Sequence, residues 1–143
     1  QTPWRRRHRV GERVHVYLDV SGSMDGVLGA LYGAALDCED LLHPQIHLFS
    51  TQVTDITPAQ LRAGTCKTTG GTSIDVVAEH MAGHRVRRAL VVTDGWVGRP
   101  AGAHRQTLQD TRLAVAFLGD SINTHDLSEV ADHTAVIGSG ERT

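Results

Sequence analysis

The chain has 143 residues, enough for one domain with a sizeable core, and its 40% hydrophobic and 21% charged content is that expected of a soluble globular protein. A net charge of −2 with histidine neutral supplies no general attraction for nucleic acid or anionic lipid, and no apolar run approaches the roughly 20 residues of a membrane span. Aromatic residues make up only 4%, so the core must rest on Val, Leu, Ile and Ala.

Residues 1–10 carry the basic run Arg5-Arg6-Arg7-His8-Arg9 without aromatic interleaving, and read as a solvated tail or severed linker ahead of one domain over 11–140. Residues 13–19 (RVHVYLD) are rich in β-branched side chains and predict a strand. Leu28, Leu31, Ala35, Cys38 and Leu42 then recur at helical spacing, with Pro44 just beyond. A second strand is expected over 46–50, a hairpin partner over 53–57 and one helical turn over 58–64. Ile74, Val77, Ala78 and Met81 lie on one face of a helix over 73–84, with Ser73 placed to cap it.

The apolar run 88–94 predicts a buried strand, followed by a weak helix over 102–110 and another buried strand over 113–118. A short helix over 123–131 and a last strand over 134–137 complete the series. The fold class is therefore α/β: a doubly wound, mostly parallel sheet of about six strands with one antiparallel edge strand and helices on both faces.

In such sheets ligands sit beyond the carboxyl ends of the strands, where the strand order reverses. Asp19 ends the first strand, so Ser21 and Ser23 of "DVSGS" fall on the loop at that edge. Asp94 ends the strand over 88–94, and Thr72 in "TGGTS" precedes a helix that begins at the same edge. Asp19, Ser21, Ser23, Thr72 and Asp94 are therefore expected to converge. All five offer hard oxygen donors, a set suited to Mg²⁺ or Mn²⁺ rather than zinc. Alternate spacing in D-x-S-x-S lets an extended loop point its donors one way.

With those three pieces in order, the chain resembles a von Willebrand factor type A (VWA) domain carrying a metal-ion-dependent adhesion site (MIDAS). The resemblance runs from about residue 12 to residue 137. It implies that Asp19, Ser21, Ser23, Thr72 and Asp94 hold the metal. The chain is short for the family, particularly over 51–69 and after Asp120, and its layout is most similar to small bacterial-type VWA domains, which are fused to other modules and commonly work beside MoxR-type AAA+ ATPases. Asp19 and Asp94 supply at most two negative charges. If either binds through water, the metal favours an incoming Asp or Glu of a protein partner. The expectation is a cytoplasmic, non-enzymatic adaptor with neither a nucleic-acid nor a membrane partner.

Rival readings have weaker support. A Mg²⁺-dependent phosphohydrolase of haloacid-dehalogenase-like type wants a second acid two residues after Asp19, where Ser21 stands, and a lysine, of which Lys67 is the only example. A structural domain with a vestigial site is opposed by five filled ligand positions. Asp25 suits a first helical turn. His80 and His84 have zinc-like spacing but lack the H-E-x-x-H pattern, and read as solvent-facing. His15 and His47 read as packed strand residues. Trp96 is either a contact anchor or a locally packed loop residue. Cys38 and Cys66 are too few for a disulfide framework, which favours a reducing compartment.

Overall fold

The computed structural model describes residues 13–20, 42–50, 53–57, 73–118 and 121–136. Within them the β-branched runs become strands β1 (Val14–Asp19), β2 (Leu42–Phe49), β3 (Val53–Ile56), β4 (Arg88–Thr93), β5 (Arg112–Phe117) and β6 (His133–Val136). Helix α1 (Ile74–His84) precedes β4, and α2 (Gly102–Asp110) precedes β5. The strands form one sheet in the order β3-β2-β1-β4-β5-β6. Every neighbouring pair is parallel except β2 with β3. The sheet is the mostly parallel, doubly wound type that the alternation of elements predicts.

Chain order fixes where a ligand could sit. From β1 the chain steps to β2 on one side, and later returns to β4 on the other. The reversal lies between β1 and β4, so the carboxyl ends of these two strands flank the crevice.

Alternation along each strand divides the core into two layers. Val16, Leu18, Ile46, Leu48 and Val92 share one buried cluster. Tyr17, Phe49, Val91, Val115 and Phe117 face the other way, where Ile74, Val77, Ala78 and Met81 of α1 and Leu108 of α2 cover them. Both described helices thus lie on one face. The helix expected from Leu28 to Leu42, which would serve the opposite face, falls largely outside the described residues, as does the turn over 58–64.

Helix α1 starts as its sequence dictates: the Ser73 hydroxyl accepts a hydrogen bond from Asp75 N at 3.2 Å. It ends in a Schellman-type closure, with Val86 N donating to Met81 O at 3.0 Å. Arg85 takes the left-handed conformation there, with φ +54°.

Three expectations need correction. Strand β2 begins at Leu42, not residue 46, and includes Pro44. The pairing steps from Val14↔Leu42 to Val16↔Ile46, an irregularity that admits a residue without an N–H. Residues 123–131 form turns rather than a helix, with Asn123 Oδ1 capping His125 N at 2.9 Å and Ala131 N returning to Leu127 O at 3.1 Å. His80 is not solvent-facing: its side chain is 12% exposed and its Nδ1 lies 2.8 Å from the Tyr17 hydroxyl.

Candidate metal edge

Asp19 closes β1 and is fully buried, and Thr93 closes β4 beside it. Parallel pairing of Leu18 with Val92 brings the two strand ends level. Thr93 Oγ1 donates to Asp19 Oδ2 at 2.6 Å, which fixes the orientation of that carboxylate. Gly95 N donates in turn to Thr93 Oγ1 at 3.0 Å. Thr93 is a further residue of this edge, marked in the sequence by a polar side chain on the buried face at the end of an apolar strand.

Asp94 follows directly, is buried, and accepts from Trp96 N through Oδ1 at 3.1 Å. The turn after it is held from across the edge. Asn123 N donates to Asp94 O at 2.8 Å, and Asn123 Nδ2 donates to Gly95 O at 3.3 Å. Gly95 has φ +93°, and a Cβ there would lie 1.9 Å from Asn123 O, so no other residue fits. Trp96 packs and protrudes at once: Nε1 donates to Ser121 O at 3.1 Å, yet the residue is 57% exposed.

The structure brings Asp19 and Asp94 to one sheet edge. Ser21, Ser23 and Thr72 lie outside the described residues. Their described neighbours sit at the same edge: Val20 N donates to Phe49 O at 3.0 Å, Ser73 N to Ser50 O at 2.8 Å, and Ile74 N to Val97 O at 3.0 Å. Oxygen donors of this type at a switch point suit a small hard cation, and the Thr93 bond is the supporting contact such a carboxylate needs.

A second polar cluster lies on the α1 face. His47, Asp55 and His80 place one ligand atom each within 4.8 Å of the others. Burial pushes the Asp55 carboxyl up, but His47 and His80 beside it more than offset this and hold it below its usual range. Burial, helped by the Asp55 charge, keeps the Tyr17 phenol protonated far above neutral pH.

The chain matches, over residues 1–119, the family described as VWA domain containing CoxE-like protein. The chain belongs to that family. Among curated proteins, none matches it. The match spans β1 to β5, while β6 and the Asn123 contacts of the VWA domain lie beyond it. VWA domains of the CoxE-like type are generally non-catalytic modules. No described helix is long and apolar enough to cross a membrane.

Proposed function

We propose that this VWA domain is a divalent-metal-dependent protein–protein interaction module. In this reading Asp19, Ser21, Ser23, Thr72 and Asp94 hold Mg²⁺ or Mn²⁺ as a MIDAS, and an Asp or Glu of a partner protein completes the shell. The observation that supports it is the pairing of two acidic strand ends across the β1–β4 reversal, with Thr93 Oγ1 steadying Asp19 at 2.6 Å. Two carboxylates neutralise a divalent cation at best, and hydroxyl donors add no charge. A carboxylate that binds through water leaves a positive centre that attracts an external acid.

The domain then works as an adaptor in the cytoplasm, either with flanking domains of a larger polypeptide or with a MoxR-type AAA+ ATPase. The family analogy supports that choice of partner, and low cysteine content supports the compartment.

A thermal melt in saturating Mg²⁺ or Mn²⁺ against EDTA tests the metal. Linkage predicts a midpoint that rises with metal concentration in the wild type, and no rise in Asp94→Ala or Asp19→Ala. Identical melts of the wild type in metal and in EDTA would overturn the reading.

A further inference from the structure

We infer that His47, Asp55 and His80 form a second cation site, built for a divalent transition metal of the zinc class and separate from the Asp19–Asp94 edge. The three residues come from β2, β3 and α1, so rigid elements set their relative positions. His47 Nδ1 lies 2.6 Å from Asp55 Oδ1, and His80 Nε2 lies 3.3 Å from that same oxygen. Donors around a tetrahedral zinc, each about 2.0–2.1 Å from it, sit about 3.3 Å apart. The His80 pair already has that spacing, and the His47 pair reaches it by opening a fraction of an ångström.

Two borderline imidazole nitrogens beside one hard carboxylate oxygen favour zinc-class ions over Mg²⁺. The far nitrogens support the assignment independently. His47 Nε2 lies 2.9 Å from His15 Nδ1, and His80 Nδ1 lies 2.8 Å from the Tyr17 hydroxyl. With a metal in place, His47 Nε2–H donates to His15 and His80 Nδ1–H donates to Tyr17. Each ring then presents a bare nitrogen to the ion, and each is held by the outer hydrogen bond that metal-bound histidines use. His15 also stacks on His47, with ring centroids 5.1 Å apart and planes within 11°.

Both ring ligands are nearly covered, while the Asp55 side chain is 30% exposed, so the ion has a way in along the β3 edge. Three protein ligands leave a fourth position for water or an outside donor. The cluster is not an extension of the first site. His47 precedes Phe49, which pairs with Asp19, by two residues or about 7 Å of strand.

The test titrates the metal-stripped chain with Zn²⁺ alone by calorimetry, for the wild type, Asp55→Asn, His80→Gln and His133→Gln. We expect one zinc per chain, unaffected by excess Mg²⁺. Asp55→Asn and His80→Gln should each weaken binding at least about tenfold, with His133→Gln unchanged. The exposed edge position of Asp55 makes Asp55→Asn the variant that keeps its fold. Co²⁺ in place of zinc should give tetrahedral absorption bands in the wild type and none in Asp55→Asn. No zinc binding by the wild type, equal affinity across all variants, or displacement of zinc by Mg²⁺ would each overturn the inference. The Mg²⁺ melts of Asp94→Ala bear on the first site alone, so the two readings fail separately.

Discussion

Thr93 Oγ1 donates a 2.6 Å hydrogen bond to Asp19 Oδ2 across the junction of two parallel strands, while accepting one from Gly95 N. One hydroxyl therefore couples the end of β1 to the turn that carries Asp94. Thr93→Val keeps the shape and removes both roles. Loss of a buried hydrogen bond to a carboxylate should cost about 1.5–3 kcal/mol. Urea denaturation in EDTA reads this without metal; a change below about 0.5 kcal/mol would mean that Thr93 does not hold Asp19.

Gly95 and Gly98 separate two costs that usually coincide. Both have positive φ, +93° and +89°, but only at Gly95 would an added Cβ strike a neighbour, Asn123 O. Gly98→Ala should cost about 1–2 kcal/mol of backbone strain. Gly95→Ala should cost at least about 3 kcal/mol, because the loop must shift as well. Similar unfolding midpoints for the two variants would contradict the close approach of the 123 segment.

Arg85 ends α1 in a left-handed conformation that glycine adopts without Cβ conflict. Arg85→Gly should stabilise the domain by about 0.5–1 kcal/mol. Thermal melts would expose an error here by moving the midpoint down.

The two helices are joined by polar contacts and by packing, and packing should dominate. His104 reaches Asp75 at 3.3 Å and Glu79 at 3.0 Å, all partly exposed. Leu108, one turn further along α2, is fully buried. His104→Ala should cost less than about 1 kcal/mol and Leu108→Ala about 2–5 kcal/mol. The reverse order in chemical denaturation would assign helix docking to the His104 contacts.

Trp96 N is hydrogen-bonded to the Asp94 carboxylate, so a cation taken up there should change the indole's surroundings. Mg²⁺ should alter tryptophan fluorescence in the wild type, and Trp96→Phe should abolish the response, leaving only Trp4. A signal that persists in Trp96→Phe would separate Trp96 from the metal edge.

Much of this arrangement could be read from the residues alone, because the signals were local. Asp19 and Asp94 end apolar runs, and in a parallel sheet such ends fall at one edge. Ser73 stands where an N-cap is needed, and the apolar stripe of α1 is the face that packs. What could not be read depends on lateral order. His80 borders that stripe, three residues after Val77, and its side chain meets Tyr17 only because α1 lies over β1 to β3. Nothing local specifies which strand lies beneath a helix flank. The start of β2 is hidden because Leu42 continues the helical spacing from Leu28 and Pro44 reads as the stop beyond that helix; the irregular pairing with β1 accommodates it in a strand instead. The stretch over 123–131 has helical spacing, but Asn123 is engaged with Asp94 and Gly95, and the chain closes into turns instead.

The Asn123 contacts mean that the family's sequence boundary is not the boundary of the working unit. A chain cut at residue 119 would retain each of the five oxygen-bearing residues and lose the clasp that keeps Asp94 and Gly95 in position. A pull on the segment after β5 would reach the backbone of the Asp94 turn directly, through the two amides of Asn123 and the Ser121 carbonyl that holds Trp96.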